Sequence, residues 1–198
     1  MRLEKSMNNT LHRRGKLSDT ILVNLLAGPG TGKSTIASSV FSELKWQGVN
    51  CELASEFAKD LCWEERFTTL TNQIYVFGKQ LHRVQRLIDK VDVIITDSPL
   101  IFSVIYKPEY LSDNFSKLVL ETFNQFNNMN YFLKRLKPYN PKGRMQTKDE
   151  AKLVDEIILN YLRDNQINYT HVNGNKDGVE IIVNDIMKNL SYRSDSND

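Results

Sequence analysis

Five short apolar, β-compatible runs punctuate the chain: Thr20–Leu26, Asn50–Ala54, Val91–Asp97, Asn130–Lys134 and Asn168–Val172. Between them the apolar positions change to helical spacing. Ala37, Val40, Phe41 and Leu44 recur every three or four residues, and Gly48 is placed to end that helix. Ile74, Phe77, Leu81, Val84 and Ile88 make the stripe of a helix from Thr71 to Lys90. Ile101–Tyr110 reads as an aromatic, partly helical connection in which Phe102 and Tyr106 either line a pocket or, as the ordinary reading, pack into the core, and Asp113–Phe126 reads as a helix. Val154, Ile157, Ile158, Tyr161 and Leu162 mark another from Thr147 to Gln166, opened by a capping box of Thr147 with Glu150. A last helix covers Val179–Leu190. Strands separated by helices predict an α/β fold around a parallel sheet.

The first strand leads directly into Ala27-Gly28-Pro29-Gly30-Thr31-Gly32-Lys33-Ser34 and then into a helix. Strand, glycine loop and helix in that order are what a phosphate-binding P-loop requires. Gly28, Gly30 and Gly32 are expected to take positive φ, letting backbone N–H groups converge on phosphate oxygens. The helix N-terminus adds partial positive charge. Lys33 is then placed to reach the β- and γ-phosphates, and the Ser34 hydroxyl to ligand Mg²⁺. Gly28 through Thr35 are the expected nucleotide contacts, and a nucleoside triphosphate is the expected ligand.

Asp97 ends a β-branched apolar run and is followed by Ser98-Pro99, so its carboxylate emerges at the C-terminal edge of a buried strand. With a P-loop upstream, such an acid approaches Mg²⁺ or serves as a base near the γ-phosphate. Glu56 follows the second strand, where ligands of open α/β sheets gather; it reads equally as a first-turn acid complementing a helix dipole. Gln73 and Gln80 fall on nearly the same line of their helix, at a border of its apolar stripe beside Phe77. Gln73 and Phe77 are expected to meet a substrate base or ring amide; Gln80 reads either that way or as a polar helix edge.

From Arg135 to Thr147 the chain is dense in cations and turn residues, including Arg135, Lys137, Lys142 and Arg144. It reads as a lid that brings Arg135 or Arg144 onto a transferring phosphoryl group, or as a solvated basic loop. Asn175-Lys176-Asp177 is one residue short of the guanine-reading pattern of GTPases, so guanine specificity is not expected, although the loop is placed to flank a base.

Composition changes this picture little. At 198 residues, 40% hydrophobic and 25% charged, the chain suits one globular domain over 19–190. Residues 1–18 form a polar, basic arm, expected to be disordered or to touch an acidic partner, and 191–198 a polar tail. A net charge of +2 is too mild to announce a nucleic-acid binder. Cys51 and Cys62 fit no metal or redox spacing and suit a reducing, cytoplasmic setting. With only His12, His82 and His171, no histidine-based metal site is expected. No apolar stretch approaches membrane-spanning length.

Taken in order, the motifs resemble those of P-loop nucleoside and nucleotide kinases. They are most similar to the kinase domain of NadR (ribosylnicotinamide kinase) and its phage-encoded relatives, often called AAA or ATP-binding proteins. The likeness rests on Ala27–Thr35, Ala54–Asp60, Asn72–His82, Thr96–Leu100 and Lys134–Arg144, and covers roughly residues 20–190. It implies a P-loop NTPase fold, with a five-stranded parallel sheet in the order 2-3-1-4-5 and helices on both faces. It also implies ATP and Mg²⁺ as cofactors, Lys33 and Ser34 on phosphate and metal, and Asp97 at the metal or base position. Glu56 stands at the substrate-hydroxyl position, and Arg135 and Arg144 in the lid. Where NadR-type enzymes carry an acidic pairing after strand three, this chain has Ser98-Pro99, which leaves the acceptor open. The expected activity is phosphoryl transfer to a nucleoside, nucleotide or similar small acceptor. The alternatives are transfer to a modified base in DNA and a nucleotide switch acting through a protein partner.

Overall fold

The computed structural model of the protein describes residues 16–136 and 148–194. Most of the expected arm, the loop from 137 to 147 with Arg144 and the Thr147 cap, and the chain from 195 onward lie outside the described residues. Five strands form one parallel sheet: β1 (Ile21–Leu26), β2 (Cys51–Leu53), β3 (Val93–Thr96), β4 (Asn127–Lys134) and β5 (Thr170–Asn173). Their order is β2-β3-β1-β4-β5. The helices flanking them are α1 (Lys33–Trp46), α2 (Phe57–Trp63), α3 (Phe67–Leu70), α4 (Gln73–Gln85), α5 (Phe102–Ile105), α6 (Asp113–Asn124), α7 (Lys148–Asp164) and α8 (Lys176–Ser194). This is the fold of a P-loop NTPase, with the strand order that the family resemblance implied. Every residue of β1 and β3 is buried, as strands covered on both faces require. Asn24 pairs with Thr96 and Leu53 with Ile95, so β1, β2 and β3 run in register toward one edge of the sheet.

Two compact units make up the chain, Met1–Asn24 with Asn50–Met129 and Leu25–Val49 with Asn130–Asp198. In the first, Val93, Ile94 and Ile95 of β3 and Val76, Phe77 and Val84 of α4 are buried core residues, as are Phe115, Val119 and Phe123 of α6. Phe77 meets Phe115 edge to face. In the second, Ile36, Val40 and Leu44 of α1 are buried, as are Ile182, Val183 and Ile186 of α8. Ala151, Ile158 and Leu162 make the buried line of α7. Among the described residues no helix is long and apolar enough to cross a membrane.

Several boundaries differ from the pattern. The helix expected from Thr71 to Lys90 starts at Gln73 and ends at Gln85. Beyond it the chain turns through Asp89 at φ 59, whose N–H donates to Thr20 Oγ1 at 3.1 Å. The buried face of this helix is Gln73, Val76, Phe77, Gln80 and Val84, while Ile74 is exposed. The stripe is therefore rotated toward the two glutamines, because their amides find partners inside the protein. Helices α2 and α3 had no periodic signal: α2 buries only Leu61 and α3 buries nothing. Strand β4 begins at Asn127, ahead of the apolar run, where Asn128 Nδ2 donates to Phe123 O at 2.6 Å. Helix α8 starts at Lys176 because Asn175 caps it, its Oδ1 accepting from Gly178 N at 3.2 Å and its amide donating to Asp177 at 2.9 Å. Asn175 and Asp177 thus build a helix start.

Candidate nucleotide-binding site

In the second unit, the phosphate loop joins β1 to α1. Gly30 and Gly32 take φ of 80° and 97°, the left-handed conformation that turns successive amides toward one side. Gly28 does not share it, which corrects the expectation of three positive-φ glycines. A Cβ at residue 28 would collide with the backbone oxygen of Ala151, so glycine is needed there for close approach to α7. Thr31 is buried and its hydroxyl donates to Gly28 O at 2.7 Å. Lys33 Nζ donates to Ala27 O at 2.8 Å and Gly28 O at 3.2 Å, so the ammonium is held against the loop that it serves. No side chain caps the α1 N-terminus, and its first turn holds no acid. That terminus keeps its positive character for an anion, with the Ser34 and Thr35 side chains exposed beside it. These features fit a triphosphate with its metal ion.

A second set of contacts fixes the root of the loop. Asp155, on α7, accepts from Gly28 N at 2.5 Å through Oδ1 and from Arg135 at 2.9 Å through Oδ2. Arg135, just past β4, also donates to Pro29 O at 2.8 Å. The pair is largely buried, with side chains 14% and 19% exposed for Arg135 and Asp155. The arginine expected in the lid is thus spent, in this state, on bracing the loop backbone. Sequence reading missed Asp155. Its signal was a carboxylate on the line Ala151, Asp155, Ile158 and Leu162, where a helix buries its face.

The carboxylates belong to the first unit. Asp97, 8% exposed, follows Thr96 at the end of β3. Glu56 stands at the N-cap of α2 with extended backbone, and its side chain makes no cap. One hydroxyl and one amide tie these positions together. Thr96 Oγ1 donates to Ala54 O at 2.8 Å and accepts from Ser98 N at 3.1 Å and Gln80 Nε2 at 3.4 Å. Gln80 Oε1 accepts from Phe57 N at 3.0 Å. Each carboxylate therefore neighbours a bonded residue, Asp97 next to Thr96 and Glu56 next to Phe57. Gln80 is a strut between α4 and both strand ends. Gln73 is buried, donating to Leu70 O at 3.1 Å, and Phe77 is buried against Phe115. The thiol of Cys62 is pushed up, mainly by burial and further by the Glu56 carboxylate, so it is held as the unreactive thiol.

Comparison with known families agrees with this geometry. The family model described as an AAA domain matches residues 22–180, from β1 through the phosphate loop and both carboxylates into α8. No curated protein matches the chain. With the loop, its lysine and the strand order in place, the chain belongs to the AAA-domain family, whose P-loop domains generally bind nucleotide together with Mg²⁺.

Proposed function

We propose that the protein is an ATP- and Mg²⁺-dependent phosphotransferase acting on a small nucleoside- or nucleotide-like acceptor, in the manner of NadR-type kinases. One observation carries the step from nucleotide binding to transfer. Two carboxylates, Glu56 and Asp97, follow adjacent parallel strands, and the residues next to them, Phe57 and Thr96, are tied to one strut, Gln80. Transfer to a hydroxyl needs one more oriented carboxylate than gripping a triphosphate does.

Each residue then has a role. The α1 N-terminus and the amides at Gly30 and Gly32 hold phosphate oxygens, and Lys33 neutralises charge that grows on the γ-phosphoryl group. Ser34 and Asp97 would hold Mg²⁺, which supplies charge neutralisation on the phosphates. Glu56 orients the acceptor hydroxyl. The acceptor's hydroxyl oxygen forms the new bond to the γ-phosphorus as the bond to the β–γ bridging oxygen breaks, and the hydroxyl proton passes to a carboxylate. Arg135 acts through the loop by holding Pro29. Positioning and electrostatics supply most of the acceleration in such a reaction.

The test is transfer from γ-labelled ATP with Mg²⁺ to deoxynucleosides, their monophosphates, nicotinamide riboside and DNA with hydroxymethylated pyrimidines. Label is expected on one small acceptor, falling by about 10²–10³ with Lys33→Ala. Label found only as free phosphate overturns transfer in favour of a nucleotide switch. Label on DNA alone overturns the small acceptor.

A further inference from the structure

A cavity of about 420 Å³ opens on the first unit between α2 and one flank of α4. Ser55, Phe57, Asp60, Lys79, His82, Arg83 and Arg86 line it. It is distinct from the α4 face that carries Gln73, Phe77 and Gln80, since those three are buried in the protein. Its volume is that of a small-molecule site, but small-molecule pockets are mostly apolar and this one is charged. Three permanent cations stand against one carboxylate.

Arg83 forms the floor and is already fixed. It donates to Ser55 O at 3.0 Å and Ser55 Oγ at 2.9 Å, pairs with Asp60, and lies 5.3 Å over the Phe57 ring. Lys79 and Arg86 also line the cavity, four residues before Arg83 and three after. Lys79 Nζ sits 5.5 Å over the Tyr75 ring. Among the described residues neither Lys79 nor Arg86 has a carboxylate partner. Like charges at this helical spacing repel by a few tenths of a kcal/mol per pair. The negative end of α4 offsets part of that for Arg83 and Arg86, but Lys79 lies mid-helix. An anion seated among the three would relieve the repulsion, and the fixed guanidinium would be oriented for it in advance.

We propose that this cavity binds a phosphomonoester of a small, hydrophilic molecule, with Lys79 and Arg86 as its charge contacts and Arg83 as the preorganised floor. A nucleic-acid strand is the less fitting source of phosphate. It needs a basic track across the surface, whereas this is one concave site in a chain of net charge +2. The proposal stands apart from the transferase reading, because it concerns binding at a site that contains neither Lys33 nor the Glu56 and Asp97 carboxylates.

The test is calorimetric titration of the full chain carrying Lys33→Ala, which disables the phosphate loop, with ribose 5-phosphate, ribose and inorganic phosphate as probes. Saturable binding of ribose 5-phosphate is expected, with no binding of ribose. Inorganic phosphate should bind more weakly at the same site. Adding Lys79→Gln and Arg86→Gln should weaken ribose 5-phosphate at least tenfold, and both lie on exposed surface where neither substitution threatens folding. Absence of saturable binding, or binding indifferent to the double substitution, overturns the proposal. A single-stranded DNA oligonucleotide serves as the last arm. If it binds with a steep salt dependence that the double substitution removes, while ribose 5-phosphate does not bind, the site belongs to nucleic acid and the small-molecule assignment fails.

Discussion

The phosphate loop and the ends of β2 and β3 both hold candidate chemistry still, by opposite means. On its ligand side the loop relies on backbone conformation: Gly30 and Gly32 at positive φ, then an uncapped helix start. Nothing remote is needed for that shape. The strand ends rely on side chains. Gln80 reaches Phe57, 23 residues earlier, and Thr96, 16 residues later. Local backbone coding leaves a motif that can be read in eight residues, whereas a side-chain strut leaves a glutamine that looks like any other. The root of the loop belongs to the second kind, since Gly28 is held by Asp155, 127 residues away.

The sharpest way to break this contrast is at the root of the loop. Asp155→Ala strands a largely buried Arg135 and removes the acceptor of Gly28 N, and should cost about 3 kcal/mol. It should also weaken nucleotide binding. Urea unfolding and a nucleotide titration measure the two effects; Asp155→Asn, which keeps an acceptor for Gly28, should lose less of both. A variant as stable as the parent would mean that the brace contributes nothing.

Gly28→Ala tests close approach against conformational freedom. Its Cβ must displace the Ala151 carbonyl, with an expected loss of about 2 kcal/mol. At Gly32 a Cβ meets nothing within 4 Å, so Gly32→Ala should pay only for its φ of 97°, about 1 kcal/mol. Equal losses in thermal or urea unfolding would show that both glycines serve one purpose.

A modest effect on stability, and the most informative on mechanism, is expected at Gln80. Gln80→Ala leaves Phe57 N without its acceptor, for a loss of about 1–2 kcal/mol. Nucleotide affinity should be unchanged while transfer falls. Loss of nucleotide affinity instead would place Gln80 in the triphosphate site and end the division between the two regions.

Legibility followed the range of the forces. The five strands, the helices with full apolar stripes and the loop were all visible, because periodicity and glycine placement act over a few residues. The short α2 and α3 were not, since four to seven residues cannot display a period. The α4 stripe was misjudged by a fraction of a turn, because an amide looks polar until its partners are known. Arg135 reads from the sequence as a lid cation, but its partners lie on the loop and on α7, which no local pattern displays.

By itself, then, the sequence determined the α/β alternation, the P-loop with Lys33 and Ser34, and a carboxylate at the end of a buried strand. Each follows from the local preferences of a few adjacent residues. Tertiary structure alone decided that Gly28 is a packing glycine, that Asp155 and Arg135 brace the loop, that Gln80 is a strut, and that Lys79, Arg83 and Arg86 share a cavity with Asp60. These depend on which distant side chains meet across the fold, and on whether each buried polar atom finds its partner there.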